Sequence, residues 1–144
     1  MLKLQQPDRS VANVLIAVID TNVWVSAFLS PQGTPAELLK AFSRWMLLPV
    51  YCAEIEAEYR EVLYRQRLNI SRELLAEFME MLVDSGHMVS PFDFDTKALP
   101  DLSDAPFIAS ALAAKCPVIT GNRKHFPPEI GVKVLSPAEA LASL

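Results

Sequence analysis

The sequence lacks any cysteine pair at redox or metal-ligand spacing; its two cysteines, Cys52 and Cys116, stand far apart. That excludes a disulfide scaffold, a zinc module on paired cysteines and a CxxC centre, and it leaves two reduced core thiols suited to a cytosol. A surplus of cations is also missing: 13 Lys and Arg face 17 Asp and Glu, for a net charge of −4 and a pI near 5.1. This balance counts against a broad nucleic-acid-binding face, because phosphate contacts need clustered Lys and Arg. Nor is there a long hydrophobic run. The apolar stretch 14–19 is too short to cross a bilayer. Lys3 and Arg9 precede it as they would in a signal peptide, but it leads into Asp20-Thr21-Asn22 and not into a small-residue cleavage site. The expectation is a soluble, unprocessed, cytoplasmic chain with no membrane attachment. Repeats, low-complexity tracts and interdomain linkers are absent too.

What remains is 144 residues, 51% hydrophobic and 21% charged, enough for one domain with its own core. Residues 1–12 carry no periodicity and read as a loosely ordered extension, with a single domain over 13–144. Residues 13–19 form a continuous β-branched run, as in a strand buried on both faces. A short helix over 23–29 follows, broken at Ser30-Pro31-Gln32-Gly33. Thr34-Pro35-Ala36-Glu37 reads as a capping box opening a helix with Leu38, Leu39, Phe42 and Trp45 on one face. A strand over 47–51 precedes a helix over 53–67 whose stripe is Ile55, Tyr59, Val62 and Leu63. Ser71 is placed as the cap of the next helix, with stripe Leu74, Leu75, Phe78 and Leu82.

A third strand is expected over 87–90, a Pro- and Asp-bearing loop over 91–102, and a helix capped by Ser103 and running to Lys115. Strands over 117–120 and 132–135 and a closing helix opened by Ser136-Pro137-Ala138-Glu139 complete the pattern. Alternating strands and helices imply an α/β fold with parallel pairing and a sheet covered on both faces.

In such sheets ligands bind beyond the carboxyl ends of the strands. Asp20 follows the first strand, Asp104 opens the helix after the third, and Asn122 follows the fourth. Glu58 flanks the apolar stripe of its helix and could lean over the same edge, as could Glu56. Carboxylates gathered together repel unless a cation lies between them. Oxygen ligands without His or Cys suit Mg²⁺ or Mn²⁺, ions that activate water for phosphodiester hydrolysis. Each acid also has a plain alternative. Asp20 and Asp104 could merely cap or complement helix N-termini, and Glu58 could be a solvated helical residue.

Four segments resemble the PIN-domain family. Val18-Ile19-Asp20-Thr21-Asn22-Val23 is similar to its opening strand and first acid, and Glu58-Tyr59-Arg60-Glu61-Val62-Leu63 to the helix of its second acid, which selects Glu58 over Glu56 and Glu61. Ser103-Asp104-Ala105-Pro106-Phe107-Ile108-Ala109-Ser110-Ala111 resembles the segment with the third acid, and Val118-Ile119-Thr120-Gly121-Asn122-Arg123-Lys124-His125-Phe126 the last motif. The resemblance runs from about residue 13 to the C-terminus and is strongest to the bacterial toxin subgroup of toxin–antitoxin pairs.

It implies a three-layer α/β/α fold with a central, mainly parallel sheet of about five strands, and Mg²⁺- or Mn²⁺-dependent endonuclease activity on RNA. Asp20, Glu58 and Asp104 would be metal ligands, with Asn122 as a fourth catalytic position. A homodimer and an antitoxin partner are implied as well. Many members carry Asp where this chain has Asn122, which can hydrogen-bond but adds no charge.

Asn22, Ser26, Asp101 and Thr120 are candidate supports of the acids; helix-lining, loop or capping roles are the alternatives for the first three, and a strand end without function for Thr120. Arg123, Lys124 and His125 are candidate RNA contacts, and Arg65, Arg67 and Arg72 form a second basic cluster. The apolar helix residues 74–82 could face a second copy or the core. An aspartyl-nucleophile phosphatase would need an acid at position 22, where Asn stands, and a receiver module would need a Lys beyond its last strand, whereas Lys133 lies within it. A catalytically weak RNA- or protein-binding module remains the alternative function.

Overall fold

The uninterrupted apolar run becomes the middle strand of the sheet. In the computed structural model, which describes residues 14–144, β1 is Leu15–Ile19 and pairs in parallel with β2, Leu47–Tyr51, on one side and with β4, Val118–Ile119, on the other. The proposed extension 1–12 lies outside the described residues. β3, His87–Met88, and β5, Val134–Leu135, add the two edges, giving the order β3-β2-β1-β4-β5 with every pairing parallel. Two flanking neighbours and helices on both faces explain why Ala17, Val18 and Ile19 are fully buried. With six α-helices among the described residues, this is a three-layer α/β/α fold.

The helices are α1 (Thr21–Leu29), α2 (Thr34–Ser43), α3 (Ala53–Leu63), α4 (Arg72–Ser85), α5 (Ala105–Ala114) and α6 (Pro137–Ala142). Trp24 of α1, Phe42 of α2, Tyr59 of α3 and Phe78 of α4 converge in an aromatic cluster, with Phe78 as the hub at centroid distances of 5.0 Å from Trp24 and 6.1 Å from Phe42. Edge-to-face geometry suits the ring quadrupoles. This cluster fixes α1 and α3 side by side at the end of β1.

Several local expectations change. Gly33, not Thr34, precedes α2; Thr34 makes no capping bond and Glu37 pairs with Lys40 at 3.0 Å. α3 stops at Leu63 because Arg65 turns extended and a short 3-10 turn, Gln66–Leu68, closes on left-handed Asn69. The third strand shrinks to two exposed residues, as an edge strand with one partner can. Asp101, not Ser103, caps the turn that leads into α5, and Ser103 lies inside that 3-10 turn, Leu102–Asp104. On α4 the buried stripe is Leu75, Phe78, Met79 and Leu82, with Leu74 exposed. α5 runs to Ala114 and ends on left-handed Lys115.

Ser71 caps α4, and Ser136 with Glu139 forms the full capping box of α6, as the sequence patterns indicate. Gly86 ends α4 where a Cβ would come within 2.6 Å of the Leu82 carbonyl and 3.0 Å of the Tyr51 ring, so the close approach of α4 to β2 requires glycine.

Because the chain runs from β1 to β2 on one side and later returns to β4 on the other, the strand order reverses beside β1. A parallel sheet opens a crevice at such a point, beyond the carboxyl ends of β1 and β4.

Candidate metal centre

Asp20 sits at that crevice, tied to the sheet by its own amide, which donates to the Ile119 carbonyl at 2.9 Å. It occupies the N-cap position of α1, yet its carboxylate caps nothing. Instead it accepts from the hydroxyl of Thr120, at 2.7 Å from Oδ2. Thr120 is fully buried, and its oxygen also accepts from the Asn122 amide at 3.0 Å. The end of β4 thus orients the acid that ends β1.

Glu58 reaches the same place through its neighbour. The Tyr59 hydroxyl, fully buried, donates to the Ile19 carbonyl, one residue before Asp20. Burial above all, with added repulsion from Asp20 and Glu58, drives the Tyr59 pKa far upward, so it remains a neutral donor. With α3 latched in this way, Glu58 accepts from the buried Thr21 hydroxyl. The competing acids are engaged elsewhere: Glu56 pairs with Arg60 at 3.0 Å, and Glu61 with Arg65 at 2.8 Å. Geometry therefore ties Glu58 to the residue after Asp20 and pairs the other two with arginines of their own helix and its end. In the sequence Thr21 stood out only as a motif neighbour of Asp20, and Tyr59 as part of an apolar stripe and of the second motif. Their hydroxyl chemistry, at positions flanked by the acids, was the available signal.

Asp104 ends the 3-10 turn that Asp101 caps and is itself helical. It holds the N-cap position of α5 without a side-chain capping bond, and only 8% of it is exposed. Its Oδ2 is buried with no hydrogen-bond partner. Burial first, then the nearby Asp20 charge, raises its pKa from 3.8 to about 6, with smaller upward pushes from Asp101 and Glu58 and an opposing pull from His125. A buried, unbonded acid whose pKa the charges of two others push upward is what a hard divalent cation would neutralise. The donor set fits such an ion.

The other candidates divide. Asn122 lies at the rim, exposed, with its side chain making no capping bond. Asn22 and Ser26 are exposed on α1, and among the described residues neither hydrogen-bonds Asp20. Asp101 is exposed, and its Oδ1 accepts from the Ser103 amide at 2.9 Å and the Ser103 hydroxyl at 2.8 Å, which hold its pKa below the usual range. The Arg123-Lys124-His125 run does not present a single basic face. Arg123 donates to the Val134 carbonyl at 3.2 Å and pairs with Glu139. Lys124 is exposed, and His125 Nδ1 stands 3.1 Å from Asp104 Oδ2. Of the distant arginines, Arg65 is spent on Glu61, and Arg72 lies over the Tyr64 ring at 5.7 Å.

The family model described as PIN domain matches residues 16–124. That span holds all three acids, Thr120 and Asn122. No curated protein matches the sequence.

Proposed function

The chain belongs to the PIN-domain family, and from that premise we propose that it is an endoribonuclease dependent on Mg²⁺ or Mn²⁺. The observation that carries this reading is the buried Asp104 carboxylate, whose Oδ2 has no hydrogen-bond partner. The charges of Asp20 and Glu58 both push its pKa upward, so three acids act on one another at the end of β1. A buried carboxylate kept for the fold would have found a donor for that oxygen.

Asp20, Glu58 and Asp104 would hold the ion. When bound, it supplies an activated water and neutralises charge building on the phosphate during in-line displacement. Thr120 and Thr21 each bond one oxygen of the Asp20 and Glu58 carboxylates and so fix them for the ion. Asn122, at the rim, offers an amide to orient the water or a phosphate oxygen without adding negative charge that would repel RNA. Lys124, exposed beside it, supplies a phosphate contact. The resemblance to bacterial toxins extends the proposal to a homodimer restrained by an antitoxin in the cytoplasm. Among the described residues no helix is long and apolar enough to cross a membrane.

Asn122, together with the binding of Arg123 to Glu139, favours a second reading. In it the domain binds RNA or a protein partner and cuts weakly or not at all.

Incubation with a mixed pool of structured and single-stranded RNAs decides between them. Cleavage with Mg²⁺ or Mn²⁺, abolished by EDTA and absent in a folded Asp20→Asn variant, is the expected result. Binding of RNA without cleavage under any of these conditions would leave the second reading.

A further inference from the structure

Asp101 and His125 take no part in the chemistry assigned to Asp20, Glu58 and Asp104, yet both border it. Asp101, Asp104 and His125 each offer one ligand atom, and these atoms all lie within 4.8 Å of one another. The buried Oδ2 of Asp104 has no hydrogen-bond partner even though His125 Nδ1 is 3.1 Å away, so the two atoms face each other without the alignment of a hydrogen bond. Ligands bonded at about 2.1 Å on adjacent corners of an octahedron stand about 3 Å apart, which is the separation found here. Asp101 is held in place through Oδ1 by Ser103, and its second oxygen has no hydrogen bond among the described residues.

We propose that His125 Nδ1 and the Asp101 carboxylate are ligands of the metal centre, forming with Asp104 a nitrogen–oxygen pole beside Asp20 and Glu58. This rests on the crevice being a metal centre. A 3-10 turn, Arg123–His125, carries the imidazole there from the end of β4, and the pairing of Arg123 with β5 and α6 anchors the start of that turn. An imidazole ligand shifts preference from Mg²⁺, which favours oxygen, toward transition ions such as Mn²⁺ and Co²⁺. Asn122 adds no charge at the rim, so these two side chains supply the donors that it does not.

The full chain loaded with Mn²⁺ is examined by pulsed electron paramagnetic resonance for coupling to a directly bonded nitrogen. The protein has two histidines, and His87 is exposed on β3, so the His87→Gln variant isolates the signal of His125. Nitrogen coupling is expected in wild type and His87→Gln and absent in His125→Gln. Mn²⁺ affinity should fall about tenfold in His125→Gln and in Asp101→Asn, with Mg²⁺ affinity in His125→Gln changing by less than about twofold.

Mn²⁺ bound without nitrogen coupling in wild type would overturn the inference and leave the three-acid centre standing. Coupling that disappears in His87→Gln would overturn it as well. If wild type binds no Mn²⁺ at all, the inference falls together with the metal-centre reading beneath it.

Discussion

At the start of α6, the Ser136 hydroxyl accepts from the Glu139 amide at 3.1 Å and Glu139 answers at the Ser136 amide at 2.8 Å. At the start of α4, Ser71 accepts from the Leu74 amide at 3.3 Å. The starts of α1 and α5 hold aspartates, which are equally good caps by type, and neither makes that bond. α2 and α3 also start without a side-chain cap, but on Gly33 and Cys52, which have no strong acceptor to offer. The contrast therefore lies in use and not in residue type. Ser71 and Ser136 use their acceptors on the helix, whereas at the crevice Asp20 turns its carboxylate to Thr120, Asp101 takes over the cap before α5, and Asp104 keeps a buried oxygen unbonded.

The sharpest break in this comparison comes from the acids themselves. Asp20→Asn and Asp104→Asn should each lower metal-dependent RNA cleavage by more than about 100-fold, beyond the loss typical of an outer partner. Circular dichroism should show both still folded. Thr120→Val comes next, because it removes the hydroxyl that orients Asp20. Its cleavage rate or metal affinity should fall by about 10- to 100-fold, and titration calorimetry checks the second quantity.

Acidity sharpens the comparison less steeply. The Asp104 carboxyl, raised to about 6, must be deprotonated to bind metal, so affinity is retained above that pH and lost as pH falls through it. The decline should approach about tenfold per pH unit. For the metal-free protein the sign reverses. A folded pKa above the ordinary 3.8 stabilises the fold below pH 3.8, and this contribution is lost as pH rises through about 6. The smallest effect belongs to the remote helix starts. Ser136→Ala should cost about 1 kcal/mol in denaturant melts and leave metal affinity unchanged.

Periodicity carried much of the fold in the sequence. The β-branched run before Asp20 marked the central strand, and the Ser136-Pro137-Ala138-Glu139 box marked the last helix. Ends of elements were less legible where tertiary contacts decide them. α3 stops at Leu63 because a 3-10 turn takes over, and Asp101 displaces Ser103 as the cap since the chain there follows the turn and not the helix.

At the site, positions after strands pointed to Asp20, Asp104 and Asn122. Spacing alone could not choose between Glu56 and Glu58, since both flank the same stripe. That choice is physical only once Tyr59 is seen bonded to Ile19 and Glu56 to Arg60. The basic run 123–125 was legible as charge, but charge says nothing of direction. Arg123 is drawn to Glu139 and His125 to Asp104.

The central claim is that Asp20, Glu58 and Asp104 are gathered for a cation and not for the fold. Thermal melts of wild type and Asp104→Asn, each with EDTA and with Mn²⁺, test it most directly. With EDTA, the variant should melt at the same temperature as wild type or higher, because a buried, repelled carboxylate has been removed. With Mn²⁺, only wild type should rise in melting temperature. A variant that is less stable with EDTA and gains as much as wild type from Mn²⁺ would contradict the account, for Asp104 would then be serving the fold and the ion would bind elsewhere.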